Sequence, residues 1–251
     1  MQIKVGCCGF SVKGGRKAYY RLFDLVEIQS TFYQLPNTST AMSWRREAPE
    51  GFEFTLKAWQ AVTHPLDSPT WRRARWKPPV DKASSYGLLK PTEENLEAWD
   101  MIVEIARILR SRVVVVQCPP SFQATEESVS DLKAFFNKAS TGGLIVAWEP
   151  RHSSWTYELV RSICLELGLI HIVDPFKERC ATEDVSPVYY RLHGLGSRPY
   201  VYKYTDDDLR ILYEKYVRPL IENGLETYIL WNNIYMAQDA ERFKQLYLKA
   251  G

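Results

Sequence analysis

The chain contains no apolar run near the ~20 residues that a bilayer crossing requires, so a membrane-spanning helix is excluded. Histidine is scarce, four residues in 251, and none falls in HxH or HExxH spacing, which speaks against a dedicated metal motif. There is no CxxC pair. Five cysteines, with Cys7 and Cys8 adjacent, form no disulfide framework; they are expected as small buried thiols in a reducing compartment. Net charge is almost absent: 32 Lys plus Arg against 30 Asp plus Glu leaves +2, which excludes a polycationic nucleic-acid coat or an acidic tail. The sequence also lacks GxGxxG, Walker A and GxSxG motifs, internal repeats and a Gly/Ser linker. The opening MQIKVGCCGF turns glycine-rich after about five residues and reads as a strand, not a signal peptide. These absences describe a soluble, cytoplasmic protein with one domain over residues 1–251.

Ordinary globular composition remains, 45% hydrophobic and 25% charged. Short β-branched or aromatic runs recur at 3–7, 25–29, 53–57, 113–117, 144–149, 169–174, 188–193 and 228–232. Helical patterns lie between most of them. In 206–223, Leu209, Leu212, Tyr213, Tyr216, Val217 and Leu220 form one apolar stripe, with Thr205 as N-cap and Gly224 beyond the end. Residues 93–110 place Leu96, Trp99, Val103, Ala106 and Leu109 inward, and 126–139, 155–167 and 236–249 are further helices. Ser154 is a natural N-cap for the helix at 155–167. Strands alternating with helices imply βαβ units, and VVVVQ, LIVAWE and YILWN read as strands covered on both faces. Eight units averaging about 31 residues predict a TIM-barrel-like (β/α) barrel, with an open doubly wound sheet as the alternative. Two irregularities are expected: an excursion at 62–90 after the third strand, and little room for a crossover helix between 174 and 193.

The chemistry gathers at the strand ends, the rim where barrel active sites sit. Glu27, Glu149, Asp174 and His193 are the candidate catalytic residues; two carboxylates in different surroundings can divide acid and base work. Glu27 and Gln29 share a face by the strand period of two. Tyr33, Lys57, Gln117, Arg151, Arg191, Asn232 and Asn233 are candidate substrate-binding residues, the cations suited to a phosphate or carboxylate. The plainer reading pairs each carboxylate with an arginine, Glu149 with Arg191 for example. Gly194 and Gly196 give the backbone after His193 the freedom of a pocket wall or mobile loop. No resident cofactor is expected, a divalent Mg²⁺ or Mn²⁺ on Glu27, Glu149, Asp174 and His193 being the alternative. The excursion carries WRRARWKPP, in which Trp71, Arg72, Arg73, Arg75 and Trp76 interleave charge and rings as a single-stranded nucleic-acid groove does. A solvated loop pinned by its tryptophans has the same composition.

The segments VEIQSTFYQLP, QCPPSF, EPRHSSW, VYYRLHG, WNN and QDAERF, in that order, resemble the hallmarks of the YecE-like family, domain of unknown function 72. The resemblance covers nearly the whole chain and implies a TIM-barrel-like fold; it implies no particular reaction. By position it adds Thr31 and His152 to the polar set above. Gln29 stands where the family usually has Asn, Ser153 where Pro is common, and Cys7-Cys8 where small hydroxyl residues are usual. A more distant similarity to barrels of the endonuclease IV and xylose isomerase type stops at their His/Asp/Glu metal cluster, which is not reproduced. The expected function is an enzyme, hydrolase-like, with a polar rim pocket for an anionic phosphate- or sugar-containing small molecule. A nucleic-acid binding or processing protein and a non-catalytic ligand-binding barrel are the alternatives.

Overall fold

The computed structural model describes residues 3–248. Eight strands follow one another around a closed barrel: β1 (Ile3–Cys7), β2 (Leu25–Ile28), β3 (Glu53–Lys57), β4 (Val113–Gln117), β5 (Ile145–Glu149), β6 (Ile170–Val173), β7 (Val188–Leu192) and β8 (Thr227–Trp231). The barrel is closed and parallel, not the open doubly wound sheet. Every residue of β2, β3, β6, β7 and β8 is buried, without alternation, because parallel strands in such folds are covered on both faces. Boundaries differ from the sequence reading by a residue at several ends; Gln29 leaves the strand, with helical φ and ψ, and so does not share a strand face with Glu27.

By internal contact the chain divides into two compact units. The first comprises residues 3–27, 48–53 and 170–248 and holds β1, most of β2 and β6 to β8. Here β8 pairs with both β1 and β7 in continuous register, so Cys7, Trp231 and Leu192 lie level. A close approach sets β1 against β2: a Cβ on Gly6 would stand 2.0 Å from the Leu25 carbonyl oxygen. Glycine is required there by space alone. The Tyr19 hydroxyl locks the same junction, accepting from the Cys7 amide at 2.6 Å and donating to the Leu25 carbonyl at 2.8 Å. No helix connects β6 to β7, as the short spacing anticipated.

The helical stripe after residue 205 forms, but not as one helix. Thr205 closes a capping box with Asp208, and Asp206–Ile211 is α-helical. Leu212–Val217 then opens into π geometry before Arg218–Glu222 resumes. The physical reason is Pro219, which has no N–H and whose ring crowds the carbonyl of the turn before it. Leu209, Leu212, Val217 and Leu220 are still buried, as the periodicity requires.

The second unit comprises residues 28–47 and 54–169 and holds most of β3, with β4 and β5. Helices Glu93–Leu109, Glu126–Lys138 and Tyr157–Leu167 each begin at a threonine that accepts a backbone N–H: Thr92, Thr125 and Thr156. The last cap corrects the assignment of Ser154, whose hydroxyl instead meets the His152 Nδ1 at 2.8 Å and the Ala124 amide at 2.8 Å. The excursion after β3 is real: two short 3₁₀ turns, Pro69–Arg73 and Val80–Ser85, and no strand. One side chain pins it. Buried Asn95 accepts from the Gly87 amide and donates to the Gly87 and Lys90 carbonyls, each at 3.0 Å.

Candidate functional site

In the first unit, the ends of β2 and β7 bring Glu27 and Arg191 together. Both side chains are fully buried, with Arg191 Nη2 donating to Glu27 Oε1 at 2.9 Å and the Tyr189 hydroxyl donating to Oε2 at 2.9 Å. A charge removed from water needs an opposite charge and hydrogen bonds around it. Here each supplies the other. Glu27 and Arg191, expected as a catalytic and a substrate-clamping group, thus meet as a buried ion pair. Cys8 is buried beside this pair; its thiol is pushed well up, by burial first and by Glu27 next.

At the ends of β6 and β7, Asp174 and His193 meet. Asp174 Oδ2 accepts the His193 backbone N–H at 3.1 Å and stands 3.8 Å from the ring Nδ1. Lys177 Nζ is 3.3 Å from the same oxygen. Burial pushes the Asp174 carboxyl up, but the hydrogen bonds from His193 and the nearby Lys177 charge outweigh it, and the net direction is down. The carboxylate stays ionised beside the imidazole, which meets Tyr200 edge-on at 5.7 Å. Gly194 is not a mobile hinge. Its φ is +99°, a Cβ would fall 2.0 Å from the Pro199 carbonyl oxygen, and its N–H donates to the buried Tyr204 hydroxyl at 2.8 Å. The loop after His193 is thereby held.

Asn232 and Asn233 follow β8. The Asn232 amide donates to the Leu192 carbonyl at 2.8 Å and its residue is half-buried. Asn233 has both amide groups engaged, donating to the Tyr202 carbonyl at 3.0 Å and accepting the Tyr235 N–H at 2.9 Å. These two bonds tie the loop after β8 to Tyr202.

In the second unit, Gln117 and Glu149 are register partners at the ends of β4 and β5. Arg151 pairs with Glu149 and reaches Gln117 Oε1 at 3.4 Å. Glu149 is nearly sealed while Arg151 keeps 29% of its side chain exposed, so the cation is the accessible member. At the end of β3, Lys57 Nζ lies 3.9 Å above the Phe32 ring. Thr31 donates from one hydroxyl toward the Ile28 and Lys57 carbonyls, at 2.8 and 2.7 Å, and so ties two strand ends.

The sequence reading overlooked two residues just past β3. His64 is buried, and burial first and Lys57 second push its imidazole down to about 3. Gln60 is fully buried, and neither amide atom finds a hydrogen-bond partner among the described residues. The signal was present in WQAVTH, a polar pair following an apolar strand, but His64 lay inside the stretch read as excursion and Gln60 just before it.

The basic segment divides. Trp71 is buried and donates to the His64 carbonyl at 3.2 Å, so it presents no face to a base; this corrects its place in the nucleic-acid set. Arg72, Arg73 and Arg75 are exposed, and Trp76 is 40% exposed. Arg73 stacks on Tyr33, 4.2 Å from the ring centre, and donates to its hydroxyl at 2.7 Å. Among the described residues no three His, Cys, Asp or Glu side chains come close enough to share a metal ion, so the Glu27, Glu149, Asp174 and His193 set does not fit that role. No helix among the described residues is long and apolar enough to cross a membrane.

Comparison with known proteins places this arrangement. The chain is 26% identical to UPF0759 protein YunF of Bacillus subtilis (strain 168), over 92% of this chain and 84% of that one. A DUF72 family protein from Thermotoga maritima superposes with TM-score 0.72 at 25% identity, over 99% and 100% of the two chains. Endonuclease IV from Thermus thermophilus, at 12% identity and TM-score 0.56 over 96% and 99%, shares the fold alone. The family model described as "Protein of unknown function DUF72" matches residues 9–251, and with that extent the chain belongs to the DUF72 family.

Proposed function

We propose that this protein is an enzyme of the hydrolase type that works on a small anionic, phosphate- or sugar-containing substrate, with His193 as its proton-transferring group. The observation that carries this reading is the Asp174–His193 pair at the ends of β6 and β7. An ionised carboxylate beside an imidazole is the neighbour that general acid–base chemistry at a histidine uses. Lys177, 43% exposed beside Asp174, is the cation available to an anionic group there. Glu27 and Arg191 support the reading from behind, holding the neighbouring strand ends by an internal ion pair. The reading treats the chain as a single barrel domain and rests on these residues; the shared fold with an endonuclease carries none of it.

The test is turnover of a panel of nitrophenyl phosphomonoesters, phosphodiesters and glycosides. Any activity found should fall by about 10²–10⁴ in His193→Gln with an unchanged Tm. Asp174→Asn should move the pH profile of the same activity. Activity that survives His193→Gln overturns the assignment.

A second reading has its own observation. A cavity of about 510 Å³ in the second unit is lined by Arg73, Arg75, Tyr33, Trp44, Asn37 and Thr40. Guanidinium groups beside rings suit the backbone and bases of a single strand. Binding of a single-stranded oligonucleotide should weaken steeply with salt and drop in Arg73→Ala and Arg75→Ala. Salt-insensitive or absent binding ends this alternative.

A further inference from the structure

The excursion after β3 folds against helix Glu93–Leu109 and encloses a second cavity, of about 370 Å³. Its walls include Trp59, Trp76, Tyr86, Met101, Glu94 and Glu97. The rings are not parallel. Trp59 and Trp76 have centroids 5.0 Å apart at 50°, and Trp76 and Tyr86 5.8 Å apart at 71°. Such tilted faces form a corner. A flat ring stacks on one of these faces at a time, whereas a compact, rounded head group fits the corner between tilted faces. Two carboxylates stand at the same wall, and one already attracts an ammonium: Lys82 Nζ is 3.1 Å from Glu94 Oε1 at the protein surface. The Tyr86 phenol is held above its ordinary value by partial burial first and by Glu94 second, a local mark of negative field. Trp76 and Met101 remain 40% and 49% exposed, a large apolar outlay that the fold itself does not bury.

We propose that this cavity is a binding site for a small organic cation with a methylated ammonium head. The π faces of Trp59, Trp76 and Tyr86 attract the diffuse positive charge, and Glu97 supplies the carboxylate that Lys82 does not occupy. The methyl groups fill the apolar corner without needing hydrogen bonds, which the ring faces do not offer. The volume lies at the small end of ligand pockets and suits a metabolite rather than a polymer.

The experiment is a tryptophan-fluorescence titration of the full chain at constant ionic strength. The probes are tetramethylammonium, choline and 3,3-dimethylbutan-1-ol, the neutral carbon isostere of choline. Choline and tetramethylammonium should saturate, with midpoints at least about tenfold below that of the isostere. Glu97→Gln, on an exposed helix position, should weaken both cations about fivefold and leave the isostere unchanged. Lys82→Gln should tighten them by freeing Glu94. Trp76→Ala should abolish the response, and Trp76→Phe should retain part of it, which separates loss of the site from loss of folding. Equal binding of the neutral isostere, no saturation by either cation, or indifference to Glu97→Gln overturns the proposal.

Discussion

Glu27 and Arg191 place two opposite charges where neither touches water, with Tyr189 donating to the same carboxylate. Such a pair gains little net stability over an apolar one, yet breaking it from one side strands a buried charge. Glu27→Gln should therefore cost about 3–5 kcal/mol in chemical denaturation, while Glu27→Leu combined with Arg191→Met should recover most of that loss. A single-variant cost below about 1 kcal/mol would show that Arg191 finds another partner. Asp174 offers a test by pH. Its folded value lies below the ordinary 3.8, so its stabilisation is present above 3.8 and is lost as pH falls through the folded value. Asp174→Asn should cost about 1–3 kcal/mol at neutral pH, and the Tm gap from the parent protein should close on acidification below that range. A gap that widens in acid would reverse the assigned direction.

At the scale of elements, one buried amide makes three of the bonds that hold the excursion. Asn95 on helix Glu93–Leu109 holds Gly87 from both sides and Lys90 besides. Asn95→Leu keeps the volume and removes the bonds, leaving the Gly87 and Lys90 carbonyls short of donors in a buried place. The expected cost is about 3 kcal/mol, together with faster tryptic cleavage at Arg72, Arg73 and Arg75. Unchanged proteolysis would mean that Trp71, wedged against His64, holds the loop by itself. The helix pattern was readable here because the apolar spacing of Trp99, Val103, Ala106 and Leu109 is a local property, and all four are buried. Asn95 was not readable, since a polar residue inside a helix stripe is distinguished only by what lies opposite it. Likewise the π segment at Leu212–Val217 came from Pro219, a local signal that an unbroken hydrophobic stripe had masked.

Across the whole molecule, the five cysteines are all buried and none is in a disulfide. Burial raises Cys7 and Cys118 to about 12 and Cys180 to about 11. A disulfide-exchange reagent that needs thiolate should release almost no equivalents from the native protein at neutral pH and five after denaturation. Prompt release of one equivalent from the native state would reveal local opening around a strand end.

The near-neutral charge and interrupted apolar runs met at the outset carry further than composition alone suggests. Sequence by itself determined the eight strands and most helices, and hence the barrel, because periodicity is a property of neighbours along the chain. Tertiary structure alone decided which strand-end residues serve each other. Glu27 meets Arg191, Glu149 meets Arg151, and Asp174 lies against His193. Ion pairing follows distance and burial in space, and residues 164 positions apart carry no mark of their meeting in the order of the chain.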